Sequence, residues 1–180
     1  MTPLLRFDRV ACRRGGRLLF KDLSFDLGPG EGLQVVGPNG SGKSSLIRLA
    51  AGLLKPDGGR VEAPPVALAD DNLALDRELP LREALDFWGG GDLPALGLAE
   101  LADVPVRLLS AGQRKRAALA RVAASRAPLW LLDEPSNALD SRSAKLLAEM
   151  VERHRASGGA VVAASHSQLS GDWRFLELGR

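Results

Sequence analysis

Apolar residues follow two spacings along this chain: short unbroken runs typical of buried strands, and longer stretches with the period of an amphipathic helix. Extended segments are predicted at residues 4–10, 17–27, 32–36, 129–133, 160–165 and 174–178, with shorter apolar pieces around Val61 and at 66–69. Helices are predicted at residues 43–52, 111–126 and 141–156. Because strands and helices alternate, the sequence predicts an α/β fold with a parallel core sheet.

Residues 71–110 have a different character. They contain two leucine-rich helical candidates, near 81–88 and 95–102, which are separated by the glycines at 89–91. We interpret this stretch as a short helical subdomain inserted in a single domain that spans residues 1–180. Residues 1–70 and 111–180 would form the core of that domain.

Composition narrows the class of protein. Hydrophobic residues make up 45% and charged residues 26%, as in folded globular proteins. A net charge of +2 is too small to indicate a polyanion ligand, so no nucleic-acid partner is expected. The single cysteine, Cys12, cannot form an internal disulfide and suits a reducing compartment. No apolar run reaches the roughly 20 residues of a membrane span and no signal peptide is evident, so we expect an intracellular protein.

A glycine-rich loop lies between the predicted strand 32–36 and the helix 43–52, and it fits the pattern G-x-x-x-x-G-K-[ST]. Such a loop points backbone N–H groups at phosphate oxygens, and the helix that follows adds its partial positive charge. Lys43 would reach the β- and γ-phosphates, and the Ser44 hydroxyl would bind Mg²⁺. The residues predicted to bind nucleotide here are Gly37, Pro38, Asn39, Gly40, Ser41, Gly42, Lys43, Ser44 and Ser45.

Two carboxylates follow the predicted buried strand 129–133. Asp133 ends the strand at the edge where ligands bind in open α/β sheets, and it would hold Mg²⁺. Glu134 would polarise the attacking water as a general base. The alternative is a strand that ends in a solvated acidic turn.

The segment Leu-Ser-Ala-Gly-Gln at 109–113 directly precedes a predicted helix. Ser110 is a candidate N-cap, and the free N–H groups behind it suit an anion. The helix also carries basic residues, which we interpret as a solvated face. These basic residues are Arg114, Lys115, Arg116 and Arg121.

The phosphate loop, the segment 109–113 and the segment 132–135, in this order along the chain, resemble the nucleotide-binding domain of ATP-binding cassette (ABC) proteins. Residues 136–140 resemble the D-loop of that family, and His166 resembles its switch histidine. The resemblance covers essentially the whole chain. Within the family, Ala111, the short length and the stretches 14–16 and 127–135 resemble the ATP-binding subunit of the heme exporter used in cytochrome c biogenesis.

The resemblance implies a P-loop NTPase fold of the ABC ATPase type, with a parallel core sheet, an antiparallel N-terminal β-subdomain and a short helical insert. It implies a head-to-tail homodimer that closes on two Mg-ATP molecules and hydrolyses them by direct attack of water. Ser110, Gly112 and Gln113 of one copy would contact the γ-phosphate held by the other. His166 would contact the γ-phosphate near Glu134. Asp140 would cross the dimer interface, which is compatible with a second role as a helix N-cap.

The resemblance also implies transmembrane permease subunits as partners and a place on the cytoplasmic face of the inner membrane. The insert normally docks that partner, and its apolar residues would form either a docking groove or the insert's own core. These residues are Leu73, Leu75, Leu79, Phe87 and Trp88. Rival interpretations are the ATPase of another small exporter, a soluble cassette ATPase that acts as a clamp on nucleic acid or ribosomes, and a phosphotransferase.

Two positions depart from the family pattern. Asn72 takes the place of the glutamine that contacts the metal or water, and the alternative is a plain polar loop. Arg13 takes the place of the aromatic residue that stacks on adenine, and the alternative is a solvated turn residue. A guanidinium can itself stack on an aromatic ring, so we expect Arg13 to contact the base.

Overall fold

The computed structural model describes residues 2–179 and contains eight strands and four α-helices within that range. The strands are β1 (Leu5–Arg14), β2 (Arg17–Leu27), β3 (Gly32–Val36), β4 (Gly58–Glu62), β5 (Val66–Ala69), β6 (Leu129–Asp133), β7 (Ala160–Ala164) and β8 (Arg174–Glu177). The α-helices are α1 (Lys43–Ala50), α2 (Leu81–Asp86), α3 (Ala111–Ala124) and α4 (Ser141–Ala156).

The N-terminal sheet is antiparallel, with strand order β2-β1-β4. Phe7 on β1 faces Phe25 on β2, and the two rings stack with centroids 4.6 Å apart. Strand β1 is irregular, because Arg9 has a φ of 48° and the pairing register with β2 shifts between Phe7 and Val10 and again after Cys12. Such bulges bend a strand and re-aim the side chains that follow.

The core sheet is parallel, with strand order β5-β6-β7-β3-β8. Its central strands read as continuous apolar runs because both faces are covered. Leu129 and Leu131 pack in the cluster that contains α1, whereas Trp130 and Leu132 pack in the cluster that contains α3 and α4. The predicted α/β fold with a parallel core and an antiparallel N-terminal sheet is confirmed.

The helical insert differs from its prediction in one segment. Residues 81–86 form α2, but the helix predicted at 95–102 is wrong, because two 3₁₀ turns (Pro94–Leu96 and Ala99–Leu101) replace it. Gly97 has a left-handed φ of 63° and ends the first turn. A further 3₁₀ turn (Val106–Leu108) leads to α3.

No helix within residues 2–179 combines the length and the apolar character needed to cross a membrane.

Candidate active site

The glycine-rich loop joins β3 to α1 in a backbone conformation that only glycine adopts readily. Gly37 has a φ of 147°, and a Cβ added there would collide with the carbonyl oxygen of Leu178 and lie 2.8 Å from Ser41 Oγ. Gly42 has a φ of 108° and is the N-cap residue of α1. The loop therefore curls directly into the N-terminus of a helix, which is a ready-made anion site.

The ammonium group of Lys43 lies beneath this loop. The side chain is 7% exposed, and Nζ donates hydrogen bonds to the carbonyl oxygens of Gly37 (2.8 Å) and Pro38 (3.2 Å). A cleft of about 430 Å³ opens beside the loop, within the usual range for small-molecule sites. The cleft is lined by Arg14, Leu19, Asn39, Gly40, Gly42, Lys43, Ser44, Ser45 and Glu134.

Asp133 and Ser44 carry oxygen atoms of the kind that Mg²⁺ prefers. Oδ1 of Asp133 is buried and makes no hydrogen bond to any described residue. Burial raises the pKa of Asp133, and a hydrogen bond from the Ser44 hydroxyl acts in the opposite direction. An unpaired carboxylate oxygen beside a hydroxyl is a pair of hard oxygen donors, which Mg²⁺ prefers. Among residues 2–179 there is no cluster of three or more His, Cys, Asp or Glu residues fit to hold a metal.

Glu134 and His166 form a pair at the edge of the cleft. Nδ1 of His166 lies 2.9 Å from Oε2 of Glu134, and the two side chains are 58% and 22% exposed. Glu134 has a φ of 46°, which is uncommon for a residue with a side chain, and its N–H donates to the carbonyl oxygen of Ala164 (2.8 Å). The pair joins two residues that are 32 positions apart in sequence.

Ser110 caps α3 as predicted. Its Oγ accepts a hydrogen bond from the N–H of Gln113 (3.3 Å), and its own N–H donates to Gln113 Oε1 (2.7 Å), which completes a capping box. Ser110 is exposed. Gly112 has a role within the chain, because an added Cβ would lie 2.8 Å from the carbonyl oxygen of Ala138. These residues lie outside the set that lines the cleft.

Asp140 is the N-cap of α4. Its Oδ1 accepts a hydrogen bond from the N–H of Ser143 (2.7 Å), and hydrogen bonds from Ser143 lower the pKa of this carboxyl. The predicted capping role is therefore present in the single chain.

The structure places Arg14, not Arg13, on the wall of the cleft. The N–H of Arg13 donates to Asp57 Oδ2 (2.6 Å), and its guanidinium donates to the carbonyl oxygen of Gly16 (3.5 Å). Arg14 lies two residues after the buried Cys12 and therefore on the same side of β1, whereas Arg13 lies on the opposite side.

Asn72 is exposed and bonded to its own loop. Its N–H donates to Asp70 Oδ1 (2.9 Å), and its side-chain amide lies 3.3 Å from Asp70 Oδ2. It is not among the residues that line the cleft.

The interpretation of the basic residues of α3 as a solvated face is wrong. Lys115 donates to the carbonyl oxygen of Asp133 (3.1 Å) and Arg116 to Ser143 Oγ (2.9 Å). Arg121 is 6% exposed, donates to the carbonyl oxygen of Leu68 and lies 4.9 Å over the ring of Trp88. The charge pattern alone did not reveal this, because long basic side chains can bury their stems while reaching a distant acceptor.

The apolar residues of the insert divide between its core and its surface. Leu75 is 7% exposed and belongs to the core. Phe87 is 82% exposed, and its ring makes an edge contact with Trp88 at 5.3 Å. Leu75 therefore belongs to the core of the insert, whereas Phe87 lies on its exposed surface.

Comparison with known proteins agrees with this geometry. The ABC transporter family model matches residues 20–84 and 91–137. The cytochrome c biogenesis ATP-binding export protein CcmA of Sphingopyxis alaskensis is 54% identical over 94% of this chain and 93% of its own. The protein of that name from Novosphingobium aromaticivorans is 57% identical over 89% of this chain and 87% of its own.

A solved structure of the ATP-binding subunit of an ABC transporter has the same fold, with a TM-score of 0.83 at 22% identity over 91% of this chain and 79% of its own. The extent of the family match and the identity to these relatives together show that the chain belongs to the ABC transporter family.

Proposed function

We propose that this chain is the ATP-hydrolysing subunit of an ABC export complex that serves cytochrome c biogenesis, of the heme exporter type. The observation that carries the ATPase part is one cleft lined by Lys43, Ser44 and Glu134, with His166 hydrogen-bonded to Glu134. The relatives named as cytochrome c biogenesis export proteins support the choice of system.

ATP would bind with its phosphates against the N-terminus of α1. The ammonium of Lys43 would exchange its hydrogen bonds to the loop carbonyls for contacts with β- and γ-phosphate oxygens. Ser44 and Asp133 would hold Mg²⁺, which when bound neutralises negative charge on those oxygens. Arg14, on the cleft wall, would lie against the adenine.

Hydrolysis needs one proton acceptor at the γ-phosphate. Glu134 would take a proton from the attacking water as the new O–P bond forms and the bond to the ADP oxygen breaks. Its hydrogen bond with His166 holds the carboxylate in place. When both ring nitrogens carry a proton, Nδ1–H donates to Glu134 and Nε2–H would donate to the γ-phosphate. His166, the hydrogen-bond partner of the proposed base, thus lies in the same chain as Glu134.

A head-to-tail homodimer would complete each site. The exposed position of Ser110 supports a contact between residues Ser110, Gly112 and Gln113 of one copy and the γ-phosphate bound by the other. Asp140 would lie near the dimer interface. The exposed ring of Phe87 supports docking of the insert on a transmembrane permease subunit, which would place the protein on the cytoplasmic face of the inner membrane.

Phosphate release from Mg-ATP by the purified chain tests the ATPase proposal, with Lys43→Ala as the variant that removes the phosphate contact. We expect turnover in the wild-type chain and none above background in the variant. Equal phosphate release from both would overturn the assignment of this cleft.

Complementation tests the choice of system. In a bacterium that lacks its own cytochrome c biogenesis ATP-binding protein, expression of this chain should restore covalent heme in c-type cytochromes, detected by peroxidase staining. Lys43→Ala should not restore it. Active ATPase without complementation, in a host whose own gene does complement, would favour another small exporter.

A further inference from the structure

Lys115 connects helix α3 to the end of β6 that carries Asp133 and Glu134. Its Nζ donates to the carbonyl oxygen of Asp133 at 3.1 Å, and its side chain is half-buried between the two elements. That carbonyl belongs to the peptide that joins Asp133 to Glu134. Lys115 therefore contacts the backbone directly between the proposed metal ligand and the proposed base.

The same peptide is held from its other side. The N–H of Glu134 donates to the carbonyl oxygen of Ala164 on β7 at 2.8 Å. Both polar atoms of one peptide group thus have a partner, one from the neighbouring strand and one from α3. These two hydrogen bonds fix the plane of the peptide and therefore the direction of the Cα–Cβ bond of Glu134.

The backbone of Glu134 needs such support. Its φ of 46° lies in the left-handed region, which costs a non-glycine residue about 1 kcal/mol or more. A residue keeps this conformation when its surroundings fix it on several sides. The result is a carboxylate aimed at His166, 2.9 Å away.

The charges around Lys115 support the same placement. Asp70 and Asp71 face the ammonium from the loop that enters the helical insert, and Asp133 and Glu134 face it from the end of β6. Burial lowers the pKa of Lys115, and each of the four carboxylates acts in the opposite direction. The ammonium of Lys115 thus lies among several carboxylates at this edge of the sheet.

We propose that Lys115 is a positioning residue for ATP hydrolysis: it holds the Asp133–Glu134 peptide and so fixes the direction of the Glu134 carboxylate. The inference rests on the proposed role of Glu134 as the base. Because α3 begins beside Ser110, Lys115 also links the base of one site to the segment proposed to meet the ATP of the other site. A shift of α3 would displace Glu134 in the same chain.

The first test compares steady-state ATPase activity of wild-type protein with Lys115→Met and Lys115→Arg. We expect the methionine variant to lose about 10- to 100-fold in kcat, as for a misplaced catalytic group, with KM for ATP within about three-fold. The arginine variant keeps a donor of similar reach and should recover most of kcat. Lys145→Met removes an ammonium from the exposed face of α4 and should leave both constants unchanged.

The second test combines Lys115→Met with Glu134→Gln. If Lys115 acts through the base, its loss should have no further effect once the base is absent, whereas independent effects would multiply. Multiplying effects would overturn the proposal, as would a normal kcat in Lys115→Met. Should Lys115→Met fail to fold, Lys115→Gln, which is too short to reach the carbonyl, takes its place in both tests. A wild-type chain without ATPase activity would refute the proposed function instead.

Discussion

His166 and Glu134 are joined by a 2.9 Å hydrogen bond between Nδ1 and Oε2. The carboxylate can only accept, so Nδ1 is the donor in this contact. Glu134 is the more buried of the two, at 22% exposed against 58%. The more buried residue is therefore the one that would accept the proton, and the more exposed one would meet the incoming phosphate.

Replacing Glu134 with glutamine should separate binding from hydrolysis. The amide keeps the size of the side chain but cannot accept the proton, so kcat should fall by about 10²- to 10⁴-fold. The affinity for ATP, measured by titration calorimetry, should stay within about three-fold of wild type. Glu62→Gln removes an exposed carboxylate paired with Arg60 and should change neither value. Near-normal turnover in Glu134→Gln would remove this residue from the role of base.

The features that the sequence predicted well are those set by neighbours in the chain. The phosphate loop, the acidic end of β6 and the cap at Ser110 each depend on a few consecutive residues. The helix predicted at 95–102 is wrong because Pro94 and Gly97 limit each segment to a single 3₁₀ turn despite the leucine spacing.

The features that could not be predicted depend on distant parts of the chain. Arg14 rather than Arg13 lines a cleft whose other walls include the phosphate loop and Glu134, and no residue type near Arg14 announces this. Lys115 looked like one member of a solvated basic run, yet its acceptor is a backbone carbonyl 18 positions away. A backbone acceptor has no sequence signal, so only the packing of α3 on β6 reveals it.

Two substitutions of Ser110 should separate its role as a cap from its proposed contact with the partner's ATP. Ser110→Ala removes the capping hydrogen bond to Gln113 and should lower the free energy of unfolding by about 1 kcal/mol. Ser110→Asp retains a good N-cap acceptor and should keep that free energy. Its negative charge would repel a γ-phosphate bound by the other copy, so its ATPase activity should be lost.

Urea unfolding and phosphate release on the same preparations measure the two effects. Ser110→Asp is the informative variant, since it is expected to be stable and inactive. Full ATPase activity in this variant would contradict the contact across the dimer. Equal loss of stability in both variants would instead mean that the aspartate does not cap α3.

Arg14 and Arg13 form a matched pair for testing contact with the base. Both are exposed, but only Arg14 lines the cleft. A guanidinium stacked at an exposed site contributes roughly 0.5–1 kcal/mol, so Arg14→Ala should weaken ATP binding by about two- to five-fold. Arg13→Ala should leave the affinity unchanged, and Arg14→Tyr should retain it. A weaker affinity in Arg13→Ala alone would restore the original assignment to that residue.

His154 should make the stability of the protein depend on pH. Its ring stacks on Trp130 at 3.8 Å, and burial lowers its pKa below the ordinary 6.5. Asp92 and Arg153 line one cavity that borders this stack, and Arg126 lines another. The folded protein thus favours the neutral ring.

This direction fixes the sign of the effect. Below pH 6.5 the unfolded chain takes up a proton at this residue more readily than the folded chain, so acidification favours unfolding. The stability that the neutral ring contributes is complete above pH 6.5. It is lost as the pH falls from 6.5 to the lower pKa of the folded state. His154→Phe keeps an aromatic ring on Trp130 and cannot titrate, so it should lose less stability between about pH 7.5 and pH 5.5.

The measurement is the free energy of unfolding in urea at those two pH values for wild type and His154→Phe. Carboxylates also titrate at the acidic end, but they are the same in both proteins and cancel in the comparison. The same loss of stability on acidification in His154→Phe as in wild type would show that protonation of His154 does not drive it.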